Sequence, residues 1–191
     1  MMLSHEQVER RAFRILKDAS VRRPPVDVHH IAATLGALVR EEASGSDISG
    51  ALFRDGDRVL IGVNVSHPRI RQRFTVAHEL GHLCLHDGDV SIDHHYAVVT
   101  EGKMRMRPSA LRSRISSEAT DPREIEANRF AAALLMPLPF LESSLRGHQF
   151  PLGEEDIRGL AKTYEVSSQA MGFRLMNLGV PVDLGDAAAP S

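Results

Sequence analysis

The chain has 191 residues, 42% hydrophobic and 25% charged, with a formal net charge of −2. Those proportions are ordinary for a soluble globular protein, the length allows one domain with a real core, and the charge gives no global case for nucleic-acid or membrane binding. A single cysteine, Cys84, excludes an internal disulfide framework and suits a reducing cytoplasm.

The first residues, Met1-Met2-Leu3-Ser4-His5-Glu6, lack a basic region followed by an apolar run, so no secretory leader is expected. No apolar run reaches the roughly 18 residues that a membrane span needs, and the expected location is the cytoplasm. Ser4 with Gln7 three residues later is a capping-box pattern. Val8, Ala12, Ile15 and Leu16 then recur at helical spacing, which predicts a first helix over about residues 5–19. Arg22-Arg23-Pro24-Pro25 breaks it. Asp27 can cap a short second helix through Leu35, with Gly36 just past its end. Leu38-Val39-Arg40 suits a short strand, and Ala43 to Asp47 a loop. Two apolar runs, Gly50 to Arg54 and Arg58 to Asn64, joined around Asp55-Gly56, predict a β-hairpin.

A largely apolar helix is expected from near Pro68 to about His86. Residues 87–120 show no clear periodicity, which is long for a connection in a compact domain. Within them lies the one basic cluster, Lys103-Met104-Arg105-Met106-Arg107 with Arg112 and Arg114. It reads best as a solvated loop, with a grip on an acidic substrate or a cover for a cleft as the alternatives. Asp121 as N-cap and Pro122 at the first position open a strongly apolar helix, which Pro137 and Pro139 terminate. Helices over about 154–165 and 168–178, the latter capped by Gly179, close a single domain of residues 1–180. Residues 181–191 are expected to form a flexible tail. The last helix pair has the outline of a helix-turn-helix, but Ser168 to Leu178 carries only Arg174 as a basic residue, so packing is expected rather than DNA binding.

His78-Glu79-Leu80-Gly81-His82 carries the chemistry. On a helix, positions i and i+4 share a face, so both imidazoles can bind one metal ion while Glu79 reaches its water without being a ligand. Burying two imidazoles and a carboxylate among Val76, Ala77, Leu80, Leu83 and Leu85 is costly unless they are paired or metal-bound. Hydrolytic zinc needs a third protein ligand. The helix after residue 120 offers Glu124 and Asn128 on one face. One of them can bind metal and the other can hydrogen-bond the outer nitrogen of a ligand histidine. A carboxylate at Glu124 also suits the helix dipole alone. Glu126, roughly 200° around the helix from Glu124, is expected to be solvated or salt-bridged. Cys84 is expected in the core, and His86 to cap or support the helix end rather than bind a second ion.

Arg71 to His86, containing the metal motif, and Glu124-Ile125-Glu126-Ala127-Asn128-Arg129-Phe130 continuing to Pro137 closely resemble the ImmA/IrrE family of metallo-endopeptidases. Pro25-Val26-Asp27, Ser49-Gly50-Ala51-Leu52 and Val166 to Met171 extend that resemblance to about residues 8–180. It implies an α+β, minimal zincin-like domain, mostly helical, with a small antiparallel sheet (the hairpin at about 50–64) beside the motif helix. It also implies Zn2+ held by His78, His82 and Glu124. The implied partner is a helix-turn-helix transcriptional repressor, which such anti-repressors cleave or cause to be cleaved.

On these expectations Glu79 is the general base, and a strand over 49–54 can pair with an extended substrate. His94, His95, Tyr96 and Tyr164 are candidates for a second group supporting the oxyanion. The rival expectation is a non-hydrolytic, zinc-stabilised partner of the repressor or a toxin–antitoxin component.

Overall fold

The structure, a computed structural model, describes residues 3–43, 49–55, 58–86, 96–100, 103–107 and 121–183. Its elements follow the local chemistry of the chain. Helix α1, His5–Asp18, opens with the Ser4/Gln7 capping box in place and buries Val8, Ala12, Ile15 and Leu16. Asp27 accepts from the backbone N–H groups of His29 and His30 at the start of α2, Val28–Thr34, and Gly36 beyond it has φ +74°. That left-handed conformation is open to glycine at little steric cost.

Strands β1, Ala37–Glu42, β2, Gly50–Asp55, and β3, Arg58–Asn64, form a sheet in the order β1-β3-β2. The β2–β3 hairpin is antiparallel as expected, with Leu52 opposite Ile61. The sheet as a whole is mixed rather than antiparallel, because β1 joins the far side of β3 in parallel, from Ala37 opposite Val59 to Glu42 opposite Asn64. β1 ends and β2 begins at the same end of β3.

The motif helix is α3, Arg69–Leu85. Beyond it, where no periodicity is evident, Tyr96–Thr100 and Lys103–Arg107 form an antiparallel hairpin, β4 and β5. Lys103 to Arg107 alternates cations with Met104 and Met106, a period-two strand pattern that reads on its own as a charge cluster.

Helix α4, Pro122–Leu135, starts at an Asp121 N-cap whose side chain accepts from the Arg123 N–H. Pro137 ends it, but Pro139 does not terminate anything. It lies in the first turn of a further helix, α5, Leu138–Ser144, where its missing N–H has no helical partner to lose. Helices α6, Glu154–Tyr164, and α7, Ser168–Asn177, pack as a pair. Val182 pairs with Leu152 in a parallel bridge, and residues 184–191 lie outside the described residues. Among the described residues no helix is long and apolar enough to cross a membrane.

The core runs through all these helices. It joins Leu16 and Ile31 to Leu52 and Ile61 of the sheet, Val76 and Leu80 of α3, Phe130 and Leu134 of α4, and Ile157 and Met171 of the last pair. Helices α3 and α4 sit against each other at its centre. A Cβ on Gly81 would lie 3.0 Å from both Cα and O of Ala127, so glycine permits the approach that brings the polar faces of the two helices together.

Candidate metal centre

Helix α3 buries an unusual set of groups. Val76, Ala77 and Leu80 are apolar, but Thr75, Glu79 and His82 are buried beside them, with Glu79 2% and His82 1% exposed. Its C-terminal carbonyls are held by a residue the sequence does not single out. Arg54, at the end of β2, donates through Nη2 to the carbonyls of Leu83 at 3.0 Å, His86 at 3.2 Å and His82 at 3.4 Å. A guanidinium there adds a donor to the last carbonyls of the helix, of which that of His82 also accepts from the His86 N–H, and complements the helix dipole. At the other end, Gln72 Nε2 donates to the His67 carbonyl at 2.7 Å and so fixes the chain leading into the helix.

Three side chains meet at the seam of α3 and α4. His78 Nε2 lies 3.2 Å from Glu124 Oε2, His82 Nε2 lies 3.3 Å from Glu124 Oε1, and the two Nε2 atoms are 3.0 Å apart. Three donors each about 2.1 Å from a tetrahedral zinc ion would be roughly 3.4 Å from one another. The observed separations match that spacing, and these three residues form a cluster that could hold a metal ion.

The outer nitrogens support the same assignment. His78 Nδ1 is 3.0 Å from Asn128 Oδ1 and His82 Nδ1 is 3.0 Å from His86 Nδ1. Protons on both Nδ1 atoms leave both Nε2 lone pairs aimed at one point together with a carboxylate. Lone pairs that converge in this way repel one another, and a divalent cation converts the repulsion into coordination. The donor set therefore fits a metal ion such as zinc, which His78, His82 and Glu124 could hold, with the Asn128 amide placed to orient His78.

Glu79 is buried on α3 beside this cluster, close to the start of β2. A Cβ on Gly50 would lie 2.2 Å from Thr75 Cγ2 and 2.9 Å from the Gly62 carbonyl, with Glu79 Oε1 at 3.5 Å. Glycine at this position therefore lets β2 run close against α3. From Gly50 beside Thr75 and Glu79 to Arg54 beside His82 and His86, β2 runs along α3 in the same direction.

Of the two expectations for Glu126 the paired one holds: it is 5% exposed, its Oε2 is 3.0 Å from His86 Nε2, and its Oε1 accepts from the Leu3 backbone N–H. Its position opposite Glu124 faces the end of α3 and α1 rather than water. Tyr164 is no oxyanion candidate. It is wholly buried, and its hydroxyl is paired with Ser144 Oγ at 2.9 Å. Burial also raises its pKa. His94 and His95 lie outside the described residues, as does the side chain of Tyr96.

Burial, with the neighbouring His82 acting in the same sense, holds the His86 imidazole below its usual range against the opposing hydrogen bond to Glu126. Burial pushes the Cys84 thiol up to about 11. Cys84 packs against the hydrophobic core and is not one of the three converging donors. Arg174 is 3% exposed, with Nε on the Met136 carbonyl at 3.1 Å and both terminal nitrogens on the Glu9 carboxylate. It packs α7 against α1 and α4, where no nucleic acid can reach it.

The family model Peptidase_M78, IrrE N-terminal-like domain, matches residues 32–176, which is more than half of the chain and spans α3, α4 and the whole donor set. Among curated proteins none matches the chain.

Proposed function

The chain belongs to the Peptidase_M78 family, and on that premise we propose that this metallopeptidase is a zinc-dependent endopeptidase whose substrate is a helix-turn-helix transcriptional repressor. The observation that carries the zinc reading is the convergence of His78 Nε2, His82 Nε2 and the Glu124 carboxylate within 4.8 Å of one another, with Glu79 buried alongside.

His78, His82 and Glu124 would hold the ion, which when bound supplies Lewis-acid chemistry: it polarises a carbonyl and makes water acidic enough to attack near neutral pH. Glu79 accepts a proton from the attacking water and delivers it to the departing amide nitrogen, the paired roles of a general base and acid. Its burial beside apolar side chains keeps that carboxylate in fixed register with the three ligands. Among the described residues β2 is an outer strand of the sheet, so its outer edge can pair with an extended peptide, and its course along α3 would lay that peptide past Glu79. The repressor as substrate is supported by the resemblance of the two long motifs to anti-repressor peptidases.

The test uses the purified chain loaded with zinc and a helix-turn-helix repressor, sought first among the products of the neighbouring genes, with fragments identified by mass spectrometry. The expected result is a discrete cleavage that Glu79→Gln reduces by roughly 10²–10⁴-fold while zinc content stays at one per chain. If Glu79→Gln still relieves repression in cells, hydrolysis is not the function and a non-hydrolytic, zinc-stabilised partner replaces it.

A further inference from the structure

We propose that Glu126 and His86 are positioning residues for the metal, a carboxylate–imidazole relay that fixes the tautomer and ring plane of His82. The inference rests on His82 being a zinc ligand and concerns how the chain holds that ligand.

Each link follows from the one before. His82 Nε2 points at His78 Nε2 and Glu124 Oε1, so as a ligand nitrogen it must be unprotonated, and the ring proton lies on Nδ1. That N–H has His86 Nδ1 at 3.0 Å, which can accept it only as a lone pair. The His86 proton is therefore on Nε2, 3.0 Å from Glu126 Oε2. The carboxylate ends the chain, and its other oxygen is occupied by the Leu3 N–H.

The side chains of His82, His86 and Glu126 are 1%, 10% and 7% exposed, so water does not compete for these bonds. A carboxylate at the end of a ligand's outer hydrogen bond both fixes the ring and makes its lone pair a better donor. Here the carboxylate acts through a second imidazole. The two metal-facing histidines are thus supported unequally: His78 leans on the neutral amide of Asn128, and His82 on an anion. The relay crosses from α3 to α4 and reaches the segment before α1, so three parts of the chain meet on one ligand.

The test measures the zinc dissociation constant of the full chain by competition with a chromophoric chelator, alongside the Tm of the metal-free protein and the visible spectrum of the Co2+-loaded form. Glu126→Ala and His86→Ala should each weaken zinc binding roughly 10–100-fold and shift the Co2+ bands. Glu126→Gln retains an oxygen that accepts from His86 Nε2–H, so it should recover much of the affinity. The double variant His86→Ala/Glu126→Ala should lose no more than the worse single variant, since the two act in series.

Zinc affinity within twofold of wild type in both alanine variants overturns the relay. So does a loss that tracks the Tm of the metal-free protein and is not recovered by Glu126→Gln. A wild-type chain that takes up no zinc overturns the metal reading itself and the relay with it, so the two failures are told apart.

Discussion

Tyr164 shows how a residue's surroundings decide its chemistry. A tyrosine near the end of a helix is a reasonable oxyanion donor in a sequence, but here the ring is wholly buried and its hydroxyl meets Ser144 Oγ at 2.9 Å. Tyr164→Phe should therefore leave kcat unchanged and lower stability by about 1 kcal/mol, the net worth of one hydrogen bond. Thermal melts beside a peptidase assay check both halves, and a large drop in kcat at unchanged stability would return Tyr164 to the active site. Its phenol titrates above the usual range because burial disfavours the anion. The folded state thus keeps its proton longer than the unfolded state, and this contribution to stability is lost only as pH rises past the ordinary tyrosine range. At this scale His78, Glu79 and His82 were legible because one helical turn sets their spacing. Glu124 and Asn128 were legible as a pair for the same reason. The role of Glu126 was not, because its partner His86 lies 40 positions away and nothing local marks its side of α4 as buried. Arg54 was equally hidden: an arginine at a strand end acquires its role only when α3 ends against it.

Helices with strong caps and a clear apolar face stand out in the sequence, and α1, α2, α4, α6 and α7 all fall where their caps and spacing put them. Elements held by contacts rather than by local pattern do not. The parallel course of β1 depends on β3 lying beside it, and α5 hides behind two prolines that read as a stop. Between α3 and α4, Gly81 makes a close contact with Ala127. In an isolated helix Gly81→Ala would be favourable by about 1 kcal/mol. Here the new methyl meets the backbone of Ala127 at 3.0 Å, and a helix backbone cannot turn aside as a side chain can. Overpacking of this kind costs about 1–3 kcal/mol, so the strain outweighs the gain in propensity. Glu124 and Asn128 ride on the helix that is pushed, three residues before and one after Ala127. Gly81→Ala should therefore lower Tm by several degrees and weaken zinc binding together, measured by melts with and without the metal. A variant as stable as wild type with unchanged zinc affinity would show that the two helices can separate freely.

Across the whole molecule, buried arginines tie the layers together. Arg73 of α3 donates to the Val26 carbonyl at 2.9 Å and pairs with Glu165 at 3.2 Å, linking the approach to α2 with the end of α6. Arg174 does the same for α7, α4 and α1. The outline of a helix-turn-helix in α6 and α7 is real as a helix pair, but the only basic residue of its second helix is turned inward. If Arg174 is structural, removing it alone is the worst case. Arg174→Met leaves the Met136 carbonyl without this donor and the Glu9 carboxylate in a half-buried site without its cation, a loss of about 3–5 kcal/mol for a broken buried pair. Removing both charges spares the second penalty, so Glu9→Leu/Arg174→Met should be more stable than Arg174→Met alone. At roughly 2–4 °C per kcal/mol for a chain of this size, the single variant should melt about 6–20 °C below wild type, with the double variant between them. A gel shift with DNA from around the gene should show no specific complex for any of the three proteins. A double variant that melts no higher than Arg174→Met would mean that the charge pair is not what holds α7 to α1, and specific DNA binding lost with Arg174 would overturn the packing role altogether.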